Sequence, residues 1–274
     1  MKRRCIGLAL VLGLVFSSAW ADEPKSKNVL DKRFTFYGGA QFYQADGEFS
    51  STKDGRPKVT VDMDDLNLNE NEVSPIVGAI INLSKRWTLR FDYFGYHDDA
   101  TSTAEFDIPV DDVTIPAGYT VDSSLDLDIV AANIAYNFWR SERARFGVGI
   151  GFHFANFELE MSGKLNVGGI ELKTDDGDID FFAPVPNLYA YGAYGFTDRF
   201  LLRYGGGWLS LSYDDYDGSL VFANAFLEYW PFEYVGFGAG YRYLKADIEY
   251  DPGNKKEEYD VTLPGPMVYL TLGF

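Results

Sequence analysis

In repeated segments between Arg33 and Phe274, apolar residues return at every second position. Val77, Ala79, Ile81 and Leu83 share one parity, as do Leu89, Phe91 and Tyr93, and Val130, Ala132, Ile134 and Tyr136. A period of two marks a strand whose two faces meet different surroundings. The pattern predicts ten strands, each bounded by turn or loop signals. They run Arg33 to Ala45, Val73 to Leu83, Trp87 to His97, Ser124 to Phe138, Arg145 to Phe157, Ala183 to Phe196, Phe200 to Leu211, Ser219 to Tyr229, Tyr234 to Ile248 and Thr262 to Phe274. Their connections alternate in length. Tight turns fall at Ser84, Arg140, Thr197 and Trp230, whereas 46–72, 98–123, 158–182, 212–218 and 249–261 read as loops, mostly long and polar. After Ala21 no apolar run reaches the ~18 residues of a membrane helix, yet each strand has the ~9–11 residues that cross a bilayer at a tilt.

The expected fold is all-β: a transmembrane antiparallel β-barrel of about ten strands in an up-and-down meander, apolar toward lipid and polar toward its lumen. A soluble barrel, the competing architecture, would put its apolar residues inside and lack interfacial girdles. The stretches "YVGFGAGYRY" and "RFGVGIGFHF" refine the picture. In the first, Val235, Phe237, Ala239 and Tyr241 face lipid. Gly236, Gly238 and Gly240 then face a narrow lumen, where missing side chains leave room for large neighbours. Candidates to fill that room are Tyr37, Tyr96, Tyr189, Tyr191, Arg203 and Tyr269. Aromatics gather where strands meet the short turns: Trp87, Tyr136, Phe138, Trp139, Phe146, Tyr194, Phe196, Phe200, Tyr229, Trp230 and Phe274. Interfacial girdles have this placement.

The ends of the chain add a destination. Lys2, Arg3 and Arg4 precede an apolar run from Ile6 to Phe16 and an Ala19-Trp20-Ala21 cleavage site, the layout of a secretory signal peptide. The predicted division is a signal peptide over 1–21, a periplasmic segment over 22–32 and the barrel over 33–274. Cys5 leaves with the signal, so neither disulfides nor thiol catalysis is expected. Aromatics make up 17% of the chain at a mean hydropathy of −0.16, so apolar residues are plentiful but dispersed. Lys and Arg number 24 against 41 Asp and Glu, a net charge of −17. Such a chain repels phosphate, and no nucleic-acid partner is expected. Most acidic residues lie in the long segments, while the short turns carry Lys85, Arg86, Arg140, Arg143 and Arg199. Long connections are therefore expected outside the cell and short turns in the periplasm. The ending "PMVYLTLGF" alternates Val268, Leu270 and Leu272 before a terminal Phe274. Signal, alternation and ending together resemble bacterial outer-membrane β-barrel proteins over the whole mature length. The resemblance implies residence in the outer membrane of a Gram-negative cell, lipid and lipopolysaccharide as surroundings, recognition of Phe274 by the barrel assembly machinery, and a monomer.

Candidate chemistry lies inside the wall, at its rim and in the acidic segments. Arg90, Asp92, His153, Arg203, Glu228 and Arg242 take the lumenal parity, and charges there must pair. A salt-bridge and tyrosine network that plugs the barrel is expected over a narrow, cation-favouring channel. His97 and His153 are the two histidines, which limits general-base chemistry. His97 with Asp98 is the candidate catalytic pair, at the outer rim. The strand count is similar to that of the omptin proteases, which use rim aspartates and an Asp–His pair. An outer-leaflet enzyme, omptin-like or lipid A-modifying, is thus the alternative to a structural or surface-interaction protein. The motifs around the omptin residues, and the serine–histidine motif of lipid A deacylases, are absent from this sequence. The pairs Asp64–Asp65, Asp111–Asp112, Asp175–Asp176 and Asp214–Asp215 are candidate ligands for weakly bound Ca²⁺ or Mg²⁺, without EF-hand spacing. No other cofactor is expected. The G-x-G-x-G runs lack the later glycine and the following helix of a nucleotide-binding loop.

Overall fold

The computed structural model describes residues 29–53, 58–68, 72–105, 107–110, 113–167, 170–173, 177–213, 215–251, 253 and 255–274. The signal peptide expected over 1–21 lies outside them. Ten strands form the wall: β1 (Phe34–Phe42), β2 (Val73–Asn82), β3 (Trp87–Thr103), β4 (Thr120–Arg140), β5 (Ala144–Val167), β6 (Gly177–Gly195), β7 (Phe200–Tyr213), β8 (Tyr216–Tyr229), β9 (Val235–Tyr250) and β10 (Gly265–Gly273). Each pairs antiparallel with the next, and β10 returns to β1 with Phe36 opposite Leu272 and Ala40 opposite Val268. This closed ring of ten is the meander that the alternation predicts. At one end, called here the turn end, the connections are tight. Ser84 Oγ accepts the Arg86 and Trp87 amides at 3.2 Å, and Thr197 Oγ1 accepts those of Arg199 and Phe200 at 3.2 and 3.0 Å. The seam closes at the same end, where Phe34 and Phe274 exchange backbone hydrogen bonds of 3.1 and 2.8 Å.

From the turn end to mid-height the outward face is apolar, with Phe36, Val77, Phe91, Ile134, Ile150, Leu188, Trp208, Leu227, Phe237 and Leu270 all exposed. On β4 this belt runs from Phe138 to Val130, roughly 26 Å of strand at about 3.3 Å per residue. At a ~40° tilt that is about 20 Å of height, comparable to the ~25 Å lipid-facing band of membrane barrels. A girdle forms at the turn end: the Trp87 and Tyr136 ring centroids lie 5.3 Å apart, Trp139 and Phe146 5.1 Å, Phe200 and Tyr229 5.0 Å. Trp230 departs from the expected girdle. It points inward and is 2% exposed. It keeps the parity of Glu228, whose Oε2 accepts its indole N–H at 3.0 Å.

The sheet continues past the belt. β5 alone has 24 residues, roughly 80 Å of strand, or about 60 Å of height at a ~40° tilt, twice the ~30 Å hydrocarbon core. Much of what the sequence predicts as loop is therefore wall. Lys255–Thr262 pairs with the far end of β9, Asp46–Lys53 pairs with Lys255–Thr262, and Val59–Asp62 pairs with Asp46–Lys53. Ile170–Lys173 folds back on the end of β5.

The physical reason is visible on β4. Between Phe138 and Val130 the outward residues are apolar and the inward ones include Asn137 and Asn133. Beyond Val130 the outward residues are Asp128, Asp126, Ser124 and Asp122, and the inward ones are Ile129, Leu127, Leu125, Ser123 and Val121, with all five side chains buried and four of them apolar. Parity is unbroken while polarity changes sides. β5 does the same, from outward Phe152 to outward Glu158 and Glu160 over buried Phe157, Leu159 and Met161. The far half thus follows the rule of a soluble barrel, and its exposed acids gave it the composition of a loop. Into its core reaches the turn Met63–Leu68, which places Met63, Leu66 and Leu68 fully buried with Tyr43, Tyr96, Leu125 and Leu159.

The glycine runs serve the belt-level lumen as expected. A Cβ on Gly238 would stand 2.2 Å from Tyr269 Cζ, and one on Gly147 2.4 Å from Tyr191 Cε1. Each tyrosine lies over a glycine of the neighbouring strand.

Candidate functional site

At belt height the lumen is filled by paired charge. Asp92 on β3 is 7% exposed. Its carboxylate accepts Arg90 Nε at 2.8 Å, Arg242 Nη2 at 3.2 Å and the Tyr37 hydroxyl. Arg242 reaches it from β9, donates to Gln41 Oε1 at 3.4 Å and lies 4.2 Å from the Phe94 ring centroid. Glu228 on β8 makes a second knot, accepting Arg203 Nε at 3.0 Å, Trp230 Nε1 at 3.0 Å and the Tyr269 hydroxyl at 3.1 Å. His153 is buried, with Nδ1 2.9 Å from Asn187 Nδ2 and its ring 4.7 Å from that of Phe222. All six residues assigned to the lumen point inward. Such desolvated charges hold because each carboxylate oxygen meets donors. Two cavities of about 20 Å³ lie among these side chains, each room for a single water.

A second layer was not expected. Val29–Asp31 forms a 3₁₀ turn inside the turn-end mouth, where Val29 and Leu30 are buried with Ala193, Leu201 and Trp230. Arg145, 4% exposed, donates Nη2 to the Leu30 carbonyl at 2.7 Å and Nη1 to Asn82 Oδ1 at 2.6 Å. Asp31 lies 3.5 Å from Arg145 and also pairs with Arg140. Lys32 holds the opposite side, donating to the Gly273 carbonyl at 3.1 Å, 5.1 Å from the Trp230 ring centroid. Residues 30–32 thus strap the mouth from β5 to β10. The signal for Arg145 was present, since it shares the parity of Gly147, Gly149, Gly151 and His153; no sequence pattern marked the strap.

His97 and Asp98 are not brought together. Successive residues of a strand face opposite sides. Asp98 is buried, 3.0 Å from the Tyr96 hydroxyl. His97 faces outward, its Nε2 3.4 Å from Asp128 Oδ1 and 4.0 Å from Asp126 Oδ1. Burial pushes the Asp126 carboxyl above the usual aspartate range, with His97 opposing. On the far half an ion-pair ladder crosses the extended sheet: Lys245 meets Asp260 at 2.7 Å and Asp247 at 3.2 Å, and Lys256 meets Glu249 at 2.9 Å and Glu258 at 3.0 Å. Lys58 also pairs with Glu258.

Of the cation candidates, Asp64 and Asp65 sit in the Met63–Leu68 turn, where Asp65 Oδ2 accepts the Asp62 amide at 3.3 Å, and Asp215 lies between β7 and β8. Asp111, Asp112, Asp175, Asp176 and Asp214 lie outside the described residues. Among the described residues no group of three or more His, Cys, Asp or Glu is gathered around a point that could hold a metal ion.

No family model matches the chain, and no curated protein matches it in sequence. Solved structures do. The outer-membrane protease OmpT of Escherichia coli superposes with a TM-score of 0.54 at 10% identity, covering 88% of this chain and 97% of its own. The outer-membrane protein OprG of Pseudomonas aeruginosa gives 0.40 at 10% identity, covering 90% and 98%. The Pseudomonas putida toluene transporter TodX gives 0.35 at 11%, covering 89% and 90%. At such identities the likeness to OmpT is one of fold.

Proposed function

The chain has the fold of a bacterial outer-membrane β-barrel, and from that premise we propose that it is a closed barrel of the structural or surface-interaction type. Its working surface is the acidic cylinder carried beyond the membrane. The turn end faces the periplasm and the far half stands outside the cell, among lipid and lipopolysaccharide. Export by the signal peptide and delivery of Phe274 to the barrel assembly machinery belong to the same reading. One observation carries it: among the described residues, the mouth strap, the Asp92 and Glu228 knots and the apolar far-half core occupy the lumen at three successive levels. A cation path is further disfavoured by the guanidiniums at belt height. An enzyme built on His97 and Asp98 finds no support, since the two side chains occupy opposite faces of the wall. Planar-bilayer recording of the purified protein tests the proposal. Background conductance is expected, and a steady ion current through the unaltered protein would overturn it.

A further inference from the structure

The belt-level lumen is out of charge balance. Four guanidiniums, Arg90, Arg145, Arg203 and Arg242, face two carboxylates, Asp92 and Glu228, among the described residues at that depth. Counting the mouth pair of Arg140 and Asp31 leaves the difference unchanged, at five against three. A buried amine or imidazole can relieve such an excess by losing its proton, but a guanidinium does not. The excess sits in a wall surrounded by hydrocarbon, where uncompensated charge is expensive.

The imbalance has a location. One of the two small cavities is lined by Arg90, Arg145 and Arg203, together with Asn133, Tyr191 and Thr88, and no carboxylate lines it. Arg90 and Arg203 are engaged by Asp92 and Glu228 on their other sides. Arg145 spends Nη1 and Nη2 on Asn82 and Leu30 and shares the Asp31 carboxylate with Arg140, but its buried Nε–H meets no acceptor. We propose that this cavity is a buried anion site, occupied by one chloride-sized monovalent ion that accepts from Arg145 Nε and neutralises the arginine cluster. At about 20 Å³ the cavity takes a halide or a water and is too small for sulfate or phosphate. Size and charge thus select the same ligand class. The ion is structural, since it lies between the mouth strap and the Asp92 knot.

Bromide replaces chloride and scatters anomalously. Crystals of the full barrel grown in sodium bromide should show an anomalous peak in this cavity, in contact with Arg145 Nε. Melting in detergent should give a midpoint that rises with chloride and saturates, against sodium gluconate at equal ionic strength. Arg145→Gln should abolish that chloride dependence. If Arg145→Gln does not fold, the bromide map of the unaltered protein still decides. A cavity without an anomalous peak, or midpoints identical in the two salts, means that water fills the space and overturns the proposal.

Discussion

At the scale of single residues, the lumen is governed by two rules that a substitution can separate. The first is volume. Gly238 exists because Tyr269 occupies the space above it, so Gly238→Ala should destabilise the barrel by about 1–3 kcal/mol through overpacking. Tyr269→Ala should relieve that clash while removing the donor to Glu228, so the double variant should be less destabilised than the sum of the two single changes. Urea unfolding from lipid vesicles measures all three, and simple additivity would show that the tyrosine yields freely. The second rule is charge. Glu228→Ala strips Arg203 of its partner inside the wall, and roughly 3–5 kcal/mol should be lost. Glu228→Gln keeps the shape and one acceptor oxygen, enough for Trp230 or for Tyr269 but not both, and should lose less. If the two variants unfold alike, the charge pair and not the neutral hydrogen bonds holds the knot. Parity in the sequence was enough to place Asp92, Arg203, Glu228 and Arg242 inside. Which carboxylate takes which guanidinium was not legible, because Arg242 meets Asp92 from β9, a partnership set by barrel curvature.

At the scale of elements, the turning point is the exchange of polarity along one strand. On β4 the dipeptide Ile129–Val130 puts two apolar side chains on opposite faces, and this is where lipid outside gives way to core inside. The turn-end boundaries of the strands were readable, since Trp87 and Phe200 each begin a strand as the alternation indicated. The far boundaries were not. An alternation such as "ELEMS", residues 158–162 in the stretch predicted as loop, has the same period as a membrane strand but the opposite sign, and its glutamates look like loop solvent. The ten-strand ring was therefore legible and the height of the wall was hidden. Outside, the far half is fastened by ion pairs that respond to pH. Hydrogen bonds from Lys58 and Lys256 draw the Glu258 carboxyl from its ordinary value of 4.5 down to about 2, against a small opposing effect of burial. A carboxylate whose folded value is depressed contributes stability above its unfolded value and loses it as pH falls through the folded one. The far-half sheet should accordingly loosen between pH 4.5 and about 2, the interval set by Glu258. Amide hydrogen exchange over Lys255–Thr262 reports the loosening. The effect is modest, since the pair is partly exposed and screened by salt. Glu258→Gln should remove its share of the pH dependence, and an unchanged profile in that variant would assign the loss to other acids.

At the scale of the molecule, closure is distributed over layers that differ in chemistry. The strap at the mouth combines polar ties with an apolar stopper of Leu30 against Trp230, the belt is ionic, and the far half is a hydrophobic core of its own. Layers held by different forces do not fail together, so opening one should expose the next without making a pore. Replacing Leu30 and Trp230 by Ala removes the apolar stopper while the Asp92 knot and the Leu66–Leu125–Leu159 core remain. The double variant should still record background conductance in a planar bilayer. What should change is access from the turn end. Thr88 is buried just inside the mouth, bonded to Asn82 Oδ1 at 3.0 Å and to the Tyr191 hydroxyl at 3.2 Å. A Thr88→Cys reporter should be slow toward a charged thiol reagent in the parent barrel and fast once Leu30 and Trp230 are shortened. The same reagent applied from the far side should stay slow in both, because the hydrophobic core lies between. A steady current through the double variant would mean that the far half does not seal, and that the strap alone had kept the barrel shut. Fast far-side labelling in the parent would locate the leak in the upper cylinder.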